Sequence, residues 1–343
     1  MPEISVVIPS YNHASFIAEA VRSVLNQTHR DLELIVVDDG SSDNSLQVLA
    51  GFSDPRLVVI SQPNQGAHAA INRGLGYARG EFLAILNSDD AYHPERLAKI
   101  VKVLKAQPGA GLAGSYIEIV DDRGASLGVK HGYLDCPPWL LEHPERSFRF
   151  GDDLHAALLT ENFWSTTSNF VFSRRLYQQV GEFLPLRYTH DWDFALRLAR
   201  RAPSVLIPEP LVRYRVHAAN TIREDQVAMV FEICWILAVH LPQAAPGLGL
   251  FDPEAAAQGL NKLLHSIHVF GMDRLLSVML LQRLSDNPAL ARQLLEADDP
   301  MRSRYLEYIR QHLEPPPPGD PRRFKAYVSR LRQRLGNVLP AKK

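Results

Sequence analysis

Carboxylates gather at three places in this chain, each beside a short apolar run. Asp38 and Asp39 close the run 32–37, and Asn87-Ser88-Asp89-Asp90 closes 82–86. His190-Asp191-Trp192-Asp193 leads into a stretch carrying Phe194, Leu196 and Leu198. Adjacent carboxylates repel one another and favour a cation, a base N–H or a sugar hydroxyl as partner. Asp89 and Asp90 form a hard-oxygen cluster of the kind that holds Mg²⁺ or Mn²⁺ through one or two side chains, leaving positions for phosphate oxygens. Clustered acids also serve as plain helix caps, and from spacing alone both readings of 87–90 stand. At 38–43 the two readings are compatible: Ser42 or Asp43 caps the next helix while Asp39 faces a crevice. Asp191 reads either as a cap that compensates a helix dipole or as a general base beside Trp192. Pro9-Ser10-Tyr11-Asn12 offers an aromatic face and an amide to a ring, or simply a turn before a helix. His217 closes the run Arg213-Tyr214-Arg215-Val216, where a lone histidine is more often structural than a ligand.

These groups act together only if a frame brings the ends of the apolar runs to one surface. β-Branched segments at 4–9, 32–38, 57–61 and 82–86 read as strands, and amphipathic segments at 14–26, 42–52 and 66–79 read as the helices between them. That alternation predicts a mostly parallel sheet flanked by helices, with ligands at the carboxyl ends of its strands. Beyond Gly111 the spacing predicts a hairpin (112–120 and 126–129), an aperiodic loop over 131–165, a strand at 169–173, a helix at 191–201, and strands at 205–207 and 211–216. A C-terminal helical extension fills 224–313, the prolines of 315–318 make a stiff spacer, and 320–343 carries eight Lys/Arg against one acid. The domain expectation is therefore 1–220, 221–313 and 314–343.

Composition narrows the function. Among 343 residues, 37 Lys+Arg face 38 Asp+Glu, which argues against a dedicated nucleic-acid binder. Two distant cysteines, Cys136 and Cys234, make neither a disulfide scaffold nor a zinc site and fit a reducing cytoplasm. No export signal is read at the N-terminus, and the apolar run 227–241 is broken by Glu232 and His240 and is too short to span a bilayer. The expectation is a soluble cytoplasmic protein. Gly74, Gly76 and Gly80 imitate a dinucleotide loop with the wrong spacing, inside and after a helix pattern. His265 and His268 lack a third metal ligand.

The order of these segments resembles the family 2 glycosyltransferases, which have the GT-A fold. Ile4-Ser5-Val6-Val7-Ile8-Pro9-Ser10-Tyr11-Asn12 looks like that family's first strand, and Val24-Leu25-Asn26-Gln27-Thr28 and 33–43 follow at its spacing. Asn64-Gln65-Gly66, Asn72-Arg73-Gly74-Leu75, Ala78-Arg79-Gly80-Glu81 and 86–90 come next. Thr167-Ser168-Asn169, Arg174-Arg175, Gly181-Glu182-Phe183, 191–197 and Tyr214-Arg215-Val216-His217 complete the set, which covers roughly 2–220. The resemblance implies an inverting, metal-dependent transfer of one sugar from a nucleoside diphosphate donor, UDP favoured, to a glycan or lipid-linked acceptor in bacterial surface-polysaccharide synthesis. It implies Pro9, Tyr11, Asp39, Asn72, Arg73 and Ser88 around the nucleotide, with Asp39 accepting from a base N–H. It also implies Asp89 as the metal carboxylate of a DXD-like motif, His217 as a second metal contact for Mg²⁺ or Mn²⁺, and Asp191 as catalytic base.

Three positions depart from the family pattern. Asn87 stands where many relatives have Asp, and its amide can still bond ribose; Ile71 stands where Arg is frequent, leaving Arg73 near the phosphates; His190 replaces the common Glu before the base. The membrane helices and Gln-x-x-Arg-Trp motif of processive relatives are not in the sequence, which favours addition of a single sugar. Two other readings are a sugar nucleotidyltransferase, which wants a Gly-rich basic loop where Pro9–His13 stands, and a silent nucleotide-sugar-binding protein. The helices past Glu224 could bind acceptor, pair with another subunit or cover the core. The basic amphipathic tail 320–343 reads equally as a peripheral membrane contact or as a solvated or packed helix.

Overall fold

The computed structural model describes residues 1–130, 158, 162, 164–217, 224–244, 287 and 289–312. The expectations for the rest of 131–165, for 245–286 with His265 and His268, for Cys136, and for the proline spacer and basic tail lie outside these residues.

Among the described residues, nine strands form one sheet. In chain order they are β1 (Ile4–Ser10), β2 (Leu32–Asp38), β3 (Leu57–Ser61), β4 (Phe82–Ile85), β5 (Ala91–Tyr92), β6 (Leu112–Val120), β7 (Ser126–Lys130), β8 (Val171–Ser173) and β9 (Ser204–Arg215). Their spatial order is β3-β2-β1-β4-β8-β6-β9-β5, with β7 paired to β6. The β3-β2-β1-β4 half is parallel. β8 runs antiparallel to both β4 and β6, while β6 and β9 are parallel. Because β2 and β4 lie on opposite sides of β1, the chain reverses direction across the sheet between β1 and β4. Ligands of open α/β sheets collect outside the strand ends at such a point. Residues 10–13 and 87–90, just past these two strands, flank it.

The helices are α1 (Ile17–Leu25), α2 (Ser45–Ala50), α3 (Ala67–Tyr77), α4 (Arg96–Ala106), α5 (Arg174–Val180), α6 (His190–Ala199), α7 (Gln226–Ala244), α8 (Leu290–Gln293) and α9 (Pro300–His312). Strand alternation splits the core in two. Ile4, Val6 and Ile8 of β1 pack with Val21 and Val24 of α1 and Ile100 of α4, whereas Val7 packs on the other face with Ile71 and Leu75 of α3. That second cluster extends through Phe172 and Phe194 to Phe231 and Trp235 of α7 and Ile309 of α9. α7 is apolar on all sides, as a helix enclosed by protein should be. Glu232 and His240 are its buried polar exceptions among the described side chains. None of the described helices is long and apolar enough to cross a membrane.

The elements differ from the sequence reading at several points. The expected strands 205–207 and 211–216 are one strand, β9, because a register irregularity opposite Ser115–Ile117 accommodates Pro208 and Pro210. α1 begins at Ile17 rather than 14, and α2 is shorter than 42–52. Helices α4 and α5 were not anticipated, although Leu97, Ile100, Val101 and Leu104 carry the helical period.

The return from α3 into β4 leaves no room at Gly80. A Cβ there would lie 2.5 Å from Ser5 N and 2.7 Å from Ile4 C, both backbone atoms. Gly80 N and Arg79 N donate to Ser5 Oγ, which in turn donates to buried Glu33 Oε1 at 2.6 Å. Gly80→Ala is therefore expected to lower stability by about 3 kcal/mol in urea denaturation, at the upper end of overpacking costs. Gly76→Ala on the same helix meets nothing within 4 Å and should gain up to about 1 kcal/mol.

Candidate functional site

A cavity of about 890 Å³ opens where the ends of β1, β2, β4 and β9 meet the start of α6. Its walls include Pro9, Tyr11 and His13 after β1, Asp39 after β2, Ser88 and Asp89 after β4, Tyr214 of β9, and His190 and Asp191 of α6.

The wall after β2 is built on Asp39. Its Oδ1 accepts from Gln62 Nε2 at 2.7 Å and Gln65 N at 2.9 Å, and its Oδ2 accepts from Gly66 N at 2.7 Å. Three donors hold a carboxylate that is only 2% exposed, and one of its roughly four acceptor positions is left. Gly66 has φ 90° and Gly40 has φ 74°, conformations that let these two turns close on Asp39. Asn12, at φ 54°, crosses to the same loops: its Oδ1 accepts from Ser42 N at 2.8 Å and its N–H reaches Ser41 Oγ. This turn leaves the Tyr11 ring 46% exposed beside the cavity. The N-cap of α2 is Asn44, without a side-chain cap bond; Asp43, one residue earlier, accepts from Ser45 N at 2.9 Å, and Asp39 lines the cavity.

The wall after β4 is held by Asp90 rather than by Asp89. Asp90 Oδ2 accepts from Ser168 Oγ at 2.5 Å and Oδ1 from Arg215 N at 2.9 Å. Complete burial, and then the neighbouring Asp89 carboxylate, push Asp90 well above the usual carboxylate range. Asp89 turns the other way, its Oδ2 lying 3.0 Å from His217 Nε2. His13 completes a group of three with Asp89 and His217, whose ligand atoms all fall within 4.8 Å of one another. His13 Nδ1 shares a 2.7 Å hydrogen bond with Ser88 Oγ. Burial lowers the pKa of His13, and Asp89 only partly opposes it, which favours the neutral imidazole that metals bind. Phe16 braces both rings, with centroids 6.1 Å from His13 and 5.1 Å from His217. One carboxylate and two imidazoles are a donor set that fits a divalent cation.

Asp191 sits in the first turn of α6, where the helix dipole favours an anion. Its Oδ1 accepts from Trp192 N at 2.7 Å and its Oδ2 from Asn162 Nδ2 at 2.9 Å. The Trp192 indole donates to Leu158 O. Tyr214 is pushed above its ordinary pKa, first by burial and then by Asp90, Asp89 and Asp191, so its phenol stays neutral between the three acids. Two buried atoms on cavity-lining residues, Ser10 Oγ and His190 Nδ1, have no hydrogen-bond partner among the described residues.

Of the residues expected from the sequence, Pro9, Tyr11, Asp39, Ser88, Asp89 and Asp191 line this one cavity, and His217 joins it through Asp89. Asn72 and Arg73 do not. The Asn72 amide is closed on Phe183, donating to its carbonyl and accepting from its N–H at 2.8 Å each. Arg73 is exposed and, among the described residues, reaches only Gln62 Oε1 at 3.4 Å. The Asn87 amide, expected to offer itself to ribose, is engaged by two threonines: Nδ2 donates to Thr166 Oγ1, and Oδ1 accepts from Thr167 Oγ1. His13, Tyr214 and Asn162 were missed as site residues. His13 and Tyr214 stood inside stretches already singled out, two residues past Tyr11 and three before His217, but nothing local marked either as a site residue.

Comparison with known proteins matches residues 5–181 to the model of glycosyl transferase family 2. An uncharacterized glycosyltransferase of Nostoc sp. is 31% identical over 226 residues, covering 64% of this chain and 66% of that protein. The match thus spans just under two thirds of the relative's own length. Among solved structures, S. aureus TarS 1-349 in complex with UDP-GlcNAc superposes with a TM-score of 0.54 at 16% identity, over 84% of this chain and 92% of that one. A mannosyltransferase from Pyrobaculum calidifontis, in complex with GDP-Man and Mn²⁺, superposes with a TM-score of 0.51 at 18% identity, over 90% and 85%. At these identities the structures establish the shared GT-A architecture.

Calorimetric titration of the full chain with MnCl₂ tests the three-residue group directly. His13→Ala and Asp89→Ala are each expected to weaken binding by about tenfold or more, a loss of about 1.4 kcal/mol per decade. Unchanged affinity in both would remove this cation site.

Proposed function

This chain belongs to glycosyl transferase family 2, and from that premise we propose that it transfers one sugar from a nucleoside diphosphate sugar to a hydroxyl of a glycan or lipid-linked acceptor, with inversion at the anomeric carbon. The observation that carries the reading is a single cavity lined by Pro9, Tyr11, Asp39, Asp89 and Asp191. Tyr11 offers a face on which a base stacks, and the remaining acceptor position of Asp39 suits a base N–H. A UDP-sugar is favoured because the residues on this wall match the family's uracil-binding positions; the GDP-Man complex of the Pyrobaculum protein keeps a purine donor in view.

A divalent cation, Mg²⁺ or Mn²⁺, held by Asp89, His217 and His13 would neutralise the charge that grows on the departing diphosphate. The Mn²⁺ in the Pyrobaculum complex supports such an ion here. Asp191 is the base. Asn162 and Trp192 N fix its plane, and its remaining lone pairs take the acceptor proton as the hydroxyl attacks the face opposite the leaving group. Tyr214, neutral among three acids, keeps a hydroxyl on the cavity wall without adding charge.

Asp191→Asn preserves shape and removes the proton acceptor. It is expected to lower kcat about 10³-fold, within the usual range for a general base, with donor affinity within twofold of wild type. Release of nucleoside diphosphate alongside glycosylated product identifies transfer, whereas pyrophosphate release would identify nucleotidyl transfer instead. Wild-type turnover by the Asp191→Asn protein would remove Asp191 from the mechanism.

A further inference from the structure

Helix α7 lies beyond the segment matched to the family, yet it reaches the residues that lead into Asp191. Glu232, 2% exposed in the middle of this apolar helix, accepts from three consecutive backbone N–H groups. Arg187 N lies 2.8 Å from Oε1, and Tyr188 N and Thr189 N lie 2.7 and 3.0 Å from Oε2. Thr189 Oγ1 adds a fourth donor at 3.2 Å from Oε2. Three backbone N–H groups and one hydroxyl thus converge on a single buried carboxylate.

The segment so gripped is 187–189. Thr189 is the residue from which α6 starts, and its carbonyl accepts from Asp193 N. Arg187, Tyr188, His190 and Asp191 all line the cavity. α7 grips α6 a second time two turns further on: buried His240 Nε2 lies 3.0 Å from Asp193 Oδ1, and Asp193 Oδ2 accepts from Arg197. Two anchors eight residues apart fix both the rotation and the slide of α6 against α7.

Stability alone calls for a cheaper arrangement. The Thr189 hydroxyl stands at a helix N-cap, where it could accept from the first turn, but it donates to Glu232 instead and makes no cap bond. Enclosing a carboxylate in an apolar helix is costly, and burial accordingly pushes Glu232 above its ordinary pKa against the pull of the amides. What the arrangement supplies is a fixed position for the peptide leading to Asp191. Catalytic bases lose efficiency steeply with misplacements of an ångström.

We propose that Glu232 is a positioning residue for the sugar-transfer step, setting the placement of Asp191 through the amides of Arg187, Tyr188 and Thr189. This rests on the reading of Asp191 as the base. Glu232→Gln in the full chain keeps the shape and turns an NH₂ group toward N–H donors. Hydrogen exchange at 187–189 is expected to rise at least tenfold, and kcat to fall 10- to 100-fold with donor KM within twofold. A core variant of the same helix, Ile236→Val, should lower the melting temperature with kcat within twofold of wild type. Wild-type exchange at 187–189, or wild-type kcat, in Glu232→Gln overturns the proposal. Should that variant not fold, Thr189→Val removes one of the four donors, and a kcat equal to wild type overturns it there. A wild-type protein that transfers no sugar defeats the reading of Asp191, and the exchange result then judges the grip on 187–189 separately.

Discussion

Two neighbouring carboxylates with opposite fates organise the centre of this protein. Asp90 is enclosed, and its pKa is driven up by burial and by Asp89. Its hydrogen bonds to Ser168 and to Arg215 N tie the end of β4 to the 3₁₀ turn Thr167–Asn169 and to the end of β9. With Asp90 taken inward, Asp89 is left facing His217, two residues past the strand that Asp90 anchors. Arg215 reinforces the geometry by donating to Asp89 O and pairing with Glu19 of α1. Environments that separate the roles of adjacent acids are a general way for one strand end to serve both structure and chemistry.

Support for this corner comes from a buried cation. Arg96 is fully enclosed and pairs with no carboxylate among the described residues; it donates to Ser115 Oγ and to the carbonyl of Asn169, with its guanidinium over the Tyr92 ring. Burial accordingly lowers its pKa. Arg96 thereby fixes the turn whose threonines hold Asn87. The neutral amide at 87 is intelligible on these terms, since it offers one donor and one acceptor to two hydroxyls.

Much of this was legible in the amino-acid order because buried parallel strands are continuous β-branched runs, and the residues just past them must lie at one sheet edge. That logic places Tyr11, Asp39 and Asp89 on a common surface, and the family pattern adds Asp191. It failed where a polar side chain turns inward. Asn72 has the composition of a ligand contact but closes on the backbone of Phe183, more than a hundred residues away. His13 failed the other way: its value arises from the approach of Asp89 and His217, which no local pattern encodes. β9 misled because Pro208 and Pro210 usually end a strand, and here the extra residues of β9 bulge out against the regular run of β6, which lets it continue.

The walls of the cavity come from different stretches of chain. Pro9, Tyr11, Asp39 and Asp89 lie at or just past the ends of β1, β2 and β4, whereas Arg187, Tyr188, His190 and Asp191 come from the segment that leads into and starts α6. Evolution can therefore edit them separately. Drift in α7 would shift the segment 187–189 while leaving the strand-end residues untouched, so one half of the cavity can be reshaped without disturbing the other.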